Sequence, residues 1–398
     1  VRVLWITSDF HPDIGGIETY TERVTHHLVR KGHQIGLVTT GSQCLPAGSL
    51  VCEHFAIDSL DRPSTLAAVS NICTRLAEAI RSFRPELVHF ASAGLAVYSD
   101  ALPDGLMRAA TVHGNDLTKP WQNWPAGDLS GTIRKGLARC APLLSVSHHT
   151  ASLLASAGLD GPVNVIPNAC DVQTFSPRRI DREAVLSRYG ISSQGAILLT
   201  VARLVPRKGH STVAAALRRI ERPVHWIVVG RGRSFRTLWW RRVLAGQPSQ
   251  VTLAGWVSPS ELVELYNACD IFVLVPIEIR DGDTLDSEGF GLVFLEAGAC
   301  GKPVIGSAVS GCIDVVADDE TGLLVGPGDP AGLSHAIRRL IDDPDLRQRL
   351  GTEARRRILT SGGWESVADR ISHYYEVAVN SRHNSSAPKD QRVVQTRT

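Results

Sequence analysis

The sequence predicts an α/β protein built as two Rossmann-like domains that face each other across a cleft. Three observations carry that expectation. Strand-like apolar runs alternate with helical patterns from end to end, which is the grammar of βαβ units and parallel sheets. The alternation pauses at Pro167–Arg182, a stretch rich in Pro, Asn, Ser and charge, and then restarts. The chain has 398 residues, 43% of them hydrophobic, too many for one small core and enough for two.

The first series opens with a buried strand at Arg2–Thr7. An amphipathic helix follows at Ile17–Arg30, with Ile17, Tyr20, Val24 and Leu28 on one face. Gly32 ends it, and Gln34–Thr39 returns as a strand. A second helix is predicted at Leu66–Phe83, then strands at Leu87–Phe90, Ala109–Val112, Leu143–Val146 and Val163–Ile166. The second series has strands at Ala196–Val201, His225–Val229, Val251–Leu253, Ile271–Val275 and Pro303–Ile305. Its helices are His210–Ile220, Ser260–Ala268 and Gly291–Cys300. Three more helical patterns follow at Ala331–Ile341, Asp345–Leu359 and Trp364–Val379. The predicted division is residues 1–175 for the first domain and 176–363 for the second, with the helix at 364–380 returning to the first. The polar segment 381–398 is expected to be a disordered tail.

Composition removes several classes of function. The formal net charge is only +2 and charged residues make up 21%, so no basic face argues for nucleic acid. Eight cysteines show no C-x-x-C pair and mostly sit in or beside apolar runs. They read as buried free thiols of a reducing compartment. The first residues, VRVLWIT, read as a strand rather than a leader peptide. No apolar run approaches the length of a bilayer span. The expectation is a cytoplasmic protein, with peripheral contact at the inner face of a membrane left open.

Ligands of open α/β sheets bind at the carboxyl ends of the strands, so the loops there hold the candidate site residues. Arg203, Arg207 and Lys208 crowd the loop after Ala196–Val201. Arg offers phosphate a flat fork and Lys a point charge, although a solvated basic turn has the same look. Glu288 and Glu296 flank Gly-Phe-Gly-Leu-Val-Phe-Leu, and eight residues put them about two helical turns apart. Gly289 and Gly291 leave backbone N–H groups open at a helix start, where phosphate is attracted. Carboxylates accept from sugar hydroxyls. A capping glutamate beside an unrelated surface glutamate is the plainer account.

Weaker signals surround these. Gly15-Gly16 joins the first strand to the first helix and suits either close approach of a phosphate or a tight turn. It fits neither a dinucleotide nor an ATP fingerprint. His113-Gly-Asn-Asp116 follows a strand end, where a buried and satisfied histidine is the ordinary alternative. Gly230 follows His225–Val229 and either lines a nucleotide pocket or turns the chain. Asp281-Gly-Asp283 has metal-compatible spacing inside the polar insertion Glu278–Ser287, but an acidic loop reads the same way, and no metal is assigned. Trp121 and Trp124 would stack on an acceptor sugar, touch lipid, or fold back as a small core.

The motifs together resemble the retaining glycosyltransferases of family 4, which have the GT-B fold. The resemblance runs from Val1 to about Val379. It is carried by IGGIETY (14–20), ARLVPRKGH (202–210), VVGRGR (228–233), the Leu265–Val275 segment and EGFGLVFLEAGACGKPVIG (288–306), with Pro167-Asn-Ala-Cys-Asp171 and Phe175 as the linker. The acidic insertion and SDFHPDIGGIETY are similar to those of bacterial phosphatidylinositol mannoside mannosyltransferases. One loop departs: Ser310-Gly-Cys-Ile-Asp314 stands where the family often has Gly-Gly followed by Pro-Glu.

What the resemblance implies is a donor site in the second domain. Arg203 and Lys208 would bind the donor diphosphate, and Glu296 the nucleotide ribose. Glu288 would contact the transferred sugar, with the backbone of Phe290, Gly291 and Leu292 nearby. Gly16, beside Gly15, would approach the phosphate, and His113 the sugar near its reacting carbon. Gly230 would line the nucleotide pocket. Asp116, Trp121 and Trp124 would face an acceptor: a glycan, a lipid or a small molecule. The donor would be GDP-mannose or a UDP-sugar, with no cofactor and no essential metal. A sugar-nucleotide epimerase and an inactive sugar-nucleotide-binding subunit are the alternatives on the same fold.

Overall fold

The computed structural model describes residues 1–12, 15–41, 43–119, 124–191, 194–232 and 250–386. Among them, two parallel sheets form. The first contains β1 (Arg2–Ile6), β2 (Gln34–Thr40), β3 (Glu53–Ile57), β4 (Leu87–Phe90), β5 (Met107–Val112), β6 (Leu143–Ser145) and β7 (Val163–Val165), in the order β3-β2-β1-β4-β5-β6-β7. The second contains β8 (Ala196–Val201), β9 (Val224–Val229), β10 (Gln250–Gly255), β11 (Ile271–Val273), β14 (Val304–Ser307) and β15 (Gly322–Val325), in the order β10-β9-β8-β11-β14-β15. Between β11 and β14 the antiparallel pair β12 (Ile279–Asp281) and β13 (Thr284–Asp286) stands apart. Each sheet runs outward from its first strand, reverses, and continues on the other side. That reversal between β1 and β4, and again between β8 and β11, is a topological switch point.

Burial explains the strands. β1 and β9 are apolar on both faces because a parallel sheet is covered on both sides by its crossover helices. Val3 and Trp5 enter one core layer, Leu4 and Ile6 the opposite one. In the second domain Leu198 and Val228 face one layer, Leu199 and Ile227 the other.

Helix ends follow local chemistry. Thr65 accepts from the Ala68 N–H at 3.1 Å to start Leu66–Phe83, and Ser258 with Glu261 forms a capping box ahead of Pro259–Ala268.

The last helix, Gly363–Ser386, returns to the first sheet. Trp364, Val367, Ala368, Ile371 and Tyr375 make its apolar stripe and are buried with Trp5, Tyr20 and Val24. A polar chain runs inside this apolar contact. The Tyr375 hydroxyl pairs with His89 Nδ1 at 2.6 Å, His89 Nε2 with Thr111 Oγ1 at 3.0 Å, and Thr111 with the Tyr20 hydroxyl at 3.0 Å. Burial lowers the His89 pKa to about 3, so the ring is neutral and relays hydrogen bonds, not charge.

Several expectations need correction. The strand predicted at Ile271–Val275 ends at Val273. β3 and β15 were not predicted: β3 is a half-exposed edge with polar residues, and β15 is too short to show a period. Nor were the helices Leu129–Ala138 and His148–Ser156; the first carries Gly131 and Gly136. A side chain at Gly136 would overlap the Ala96 carbonyl, so packing, not propensity, chose glycine there. The insertion at 278–287 is a β-hairpin with Asp281 and Asp283 exposed at its turn. The helix expected to stop before 381 continues to Ser386, and the rest of the tail, 387–398, lies outside the described residues. Of the cysteines, Cys44 and Cys52 are exposed rather than buried.

The buried chain gives a first prediction. Tyr375→Phe keeps the ring and strands His89 Nδ1, which costs about 1–3 kcal/mol for an unmet buried group. Differential scanning calorimetry should show a lower melting temperature; an unchanged transition would mean His89 does not need Tyr375.

Candidate active site

Two loops of the second domain build the charged centre. Pro206–Lys208 forms a single 3-10 turn after β8, closed by Gly209 at φ 72°. A side chain at Gly209 would overlap the Val275 carbonyl, so glycine lets the basic loop seat on the chain leaving β11. The Ile277 N–H donates to the Arg207 carbonyl at 2.8 Å and fixes that seat. Opposite it, Glu288 leads into the helix Leu292–Ala299, whose N-cap Gly291 has φ 98°.

These loops meet through charge. Lys208 Nζ donates to Glu288 Oε2, and Arg207 Nη1 donates to the same oxygen at 3.1 Å. Arg207 Nε bonds Asp286 at 2.7 Å. Burial alone would raise the Glu288 pKa, but Lys208 and Arg207 outweigh it and hold the carboxyl at about 2. Burial pulls the Lys208 ammonium below its usual value, with Glu288 pulling it back. Arg203 stands exposed beside this pair and adds repulsion that Lys208 feels. The three cations predicted as one cluster therefore split. Arg207 is locked in a carboxylate clamp, while Arg203 is open to solvent.

Glu296 lies farther along the same helix and is kept apart from the cations. The Tyr266 hydroxyl donates to it at 2.7 Å. Burial raises its pKa to about 7. Gly230, at φ 143°, packs so closely on the loop after β8 that a side chain would overlap the Ala202 carbonyl. The Leu204 N–H donates to the Arg231 carbonyl at 3.0 Å, which joins the two loops.

The first domain closes over this centre. Gly16 lies against Leu292: a methyl added at Gly16 would come within 3.9 Å of Leu292 Cδ1. Ser147 Oγ donates to the Gly289 carbonyl at 2.7 Å. The His148 and His149 N–H groups donate to Asp314 at 3.1 and 3.2 Å. A side chain at Gly289 would overlap the His113 carbonyl, so the backbones of the two domains touch there. His113 Nε2 donates to the Ala91 carbonyl at 3.0 Å, which leaves Nδ1 as the ring's acceptor. Burial lowers its pKa to about 4, and the Tyr20 ring meets it edge-on at 4.9 Å.

The acceptor-side expectations fare differently. Asp116 accepts from the Ala93 N–H at 2.7 Å and the His113 N–H at 2.9 Å, so its carboxylate shapes the His113 loop. Burial raises its pKa to about 6. Trp124 packs against Tyr98 at 6.2 Å in the first core and is not an exposed platform; a ring that apolar finds more area inward. Trp121 and Arg233 lie outside the described residues. No group of three or more His, Cys, Asp or Glu among the described residues is placed to hold a metal. Sequence reasoning missed Asp286, Asn115, Ser147 and Asp314 as cross-domain contacts. The acidic insertion was the one signal, and it drew notice to Asp281 and Asp283 instead.

Comparison with known proteins covers both halves of the chain. A family model described as Glycosyltransferase Family 4 matches residues 14–174, and one described as Glycosyl transferases group 1 matches residues 181–357. The chain carries a family 4 domain followed by a group 1 domain, the two halves of a glycosyltransferase. A GDP-mannose-dependent monoacylated alpha-(1-6)-phosphatidylinositol monomannoside mannosyltransferase of Corynebacterium glutamicum is 29% identical over 94% of this chain and 97% of that protein. Among solved structures, sucrose-phosphate synthase of Thermosynechococcus elongatus has a TM-score of 0.75 at 21% identity, covering 96% of this glycosyltransferase and 99% of that chain. Anabaena Alr3699/HepE, solved with UDP and glucose, has a TM-score of 0.74 at 18% identity, covering 94% and 99%. Both have the same two-domain GT-B fold.

The geometry can be probed at Gly289 and at Glu296. Gly289→Ala pushes a methyl into the His113 backbone without entering either core, so transfer should fall about tenfold or more while the melting temperature stays near that of the parent. Equal turnover would show that the domains need not meet there. For Glu296, a raised pKa means the folded state holds a proton the unfolded state has lost between pH 4.5 and about 7. Its contribution to stability therefore falls as pH rises through that window. Denaturant titrations should show Glu296→Gln flattening this slope; a slope identical in both proteins would refute it.

Proposed function

We propose that this glycosyltransferase moves a hexose, with retention of anomeric configuration, from a nucleotide diphosphate sugar to a hydroxyl acceptor, and that GDP-mannose is its donor. The observation that carries the site assignment is the buried Glu288 carboxylate between Lys208 and Arg207, at the switch point of the second sheet, with the first domain meeting the following residues at Gly289 and Leu292. The Corynebacterium relative supports the mannosyl reading; the UDP-bound neighbour shares only the fold. That relative is named as a transferase, which favours neither an epimerase nor a non-catalytic subunit.

In this reading the donor diphosphate lies across Arg203 and Lys208 and the N–H groups of Phe290, Gly291 and Leu292. Glu296 receives the ribose hydroxyls beside Gly230, and Gly15-Gly16 approaches the phosphate from the other domain. Glu288 holds the sugar hydroxyls. As the bond from the anomeric carbon to the diphosphate oxygen breaks, the acceptor oxygen bonds to that carbon from the same face, and its proton passes to the departing oxygen. Lys208 and Arg203 offset the charge that builds on the diphosphate. Neutral His113 lines the sugar without carrying charge. Closure keeps water from the anomeric carbon. The acceptor is a lipid-linked or soluble glycan or a small polyol. A lipid acceptor would be met at a membrane surface, since no helix among the described residues is long and apolar enough to cross a bilayer.

A thermal-shift comparison of GDP, UDP, GDP-mannose and UDP-glucose tests the donor, because a ligand of the folded state raises its melting temperature. GDP and GDP-mannose should give the largest shifts; a shift with uridine nucleotides alone overturns the mannosyl reading. Lys208→Ala and Glu288→Ala should each lower mannosyl release from GDP-mannose by about a hundredfold or more. Parental rates in either folded variant would remove these residues from the site.

A further inference from the structure

The hairpin β12–β13 is the part of the second domain that the donor reading leaves without work. Its metal-like pair, Asp281 and Asp283, is exposed at the turn and forms no ion pair among the described residues. The residue that does bind is Asp286, at the hairpin's end. Its Oδ1 accepts from Arg207 Nε at 2.7 Å and from Asn115 Nδ2 at 2.7 Å. Its Oδ2 accepts from Lys119 Nζ at 2.7 Å.

One carboxylate thus touches both domains and the charged centre together. Asn115 and Lys119 belong to the first domain, on the short helix Asn115–Thr118 and its end. The grip is reinforced by backbone: the Ser287 N–H donates to Asn115 Oδ1 at 2.9 Å, and Thr118 Oγ1 to the Leu285 carbonyl at 2.6 Å. On the other side, Arg207 is 6% exposed and has its guanidinium split between Asp286 and Glu288. A planar fork held at Nε by one carboxylate has its Nη1 direction fixed for the other. The orientation of Glu288 therefore depends on Asp286, and Asp286 is fully coordinated only when the first domain is in place.

We propose that Asp286 is a positioning residue for Glu288, which it aligns through Arg207, and that Lys119 and Asn115 make this alignment depend on domain closure. Asp286 touches no substrate in this scheme. It turns closure into a catalytic signal: an open enzyme has Arg207 loosely held and Glu288 unaligned, and a closed one has both fixed. The inference rests on the reading of Glu288 as the contact of the transferred sugar.

The test is a double-mutant cycle with Asp286→Asn and Lys119→Ala, read as kcat and KM for GDP release from GDP-mannose, with Asp286→Glu as the conservative variant. Asp286→Asn should lower kcat about tenfold or more, with KM for GDP-mannose changed by less than about threefold. Lys119→Ala should lower kcat in the parent but add nothing in the Asp286→Asn background. Asp286→Glu should recover part of kcat. Additive effects of the two substitutions, or a loss confined to KM, overturn the proposal. Small-angle X-ray scattering of the ligand-free proteins separates it from the donor reading. The double variant should have a larger radius of gyration than the parent. An unchanged radius overturns the closure role whatever the donor. A parent protein that binds no nucleotide sugar, yet expands when Asp286 and Lys119 are replaced, overturns the donor reading alone.

Discussion

A carboxylate buried beside two cations is costly to assemble. Removing each ion from water costs several kcal/mol even after relaxation, and only close, well-oriented partners recover it. Glu288 meets that demand by taking Lys208 and Arg207 on one oxygen. Much of the second domain's local geometry serves this meeting. Gly209 lets the basic loop lie on the chain leaving β11. The Ile277 N–H ties that chain to Arg207. Gly291 turns the backbone so that the helix starts directly after the carboxylate. With the two domains in contact the dipoles of this centre are set, so little reorganisation would remain for a reaction step there.

The two domains share a strand order but not a chemistry. The second concentrates ionised groups and leaves them partly short of counter-charge. The first brings an uncharged His113, the glycines of the first loop and the Ser147 hydroxyl to the same cleft, and sets the Lys119 ammonium on Asp286. Side chains reach across the cleft at Asn115 and Lys119, and backbone takes part at Gly289 against His113 and at the N–H groups that meet Asp314. Backbone contacts of this kind tolerate almost no added volume, which is why glycine recurs on both walls.

Sequence reading recovered what depends on local periodicity. Strands buried on both faces and amphipathic helices declare themselves over a few residues, and so did the crowd of cations after β8. It lost what depends on distance along the chain. Glu288 and Arg207 are far apart in sequence, and nothing local says that one cation of three is clamped while Arg203 stays exposed. Asp286 was overshadowed by Asp281 and Asp283, whose spacing looks like chemistry but whose place at a hairpin turn is a matter of backbone reversal. Trp124 shows the same limit: a loop tryptophan reads equally as a platform, a lipid contact or a small core until the position of Tyr98 decides for the core. Edge strands such as β3, half in water, carry too weak an alternation to be seen.

The polar thread from Tyr375 through His89 and Thr111 to Tyr20 links the last helix to the interior of the first sheet. The first domain emerges before the second, with one face of its sheet covered only in part, by the helix Gly16–Arg30, and with His89 Nδ1 unanswered. The second domain, whose sheet and flanking helices are contiguous in sequence, can finish its own core before that. Only when the helix from Gly363 onward leaves the ribosome does the first domain receive the rest of that layer. The first domain, synthesised before the second, is therefore completed after it. In the interval its exposed apolar face is the segment most in need of chaperone cover.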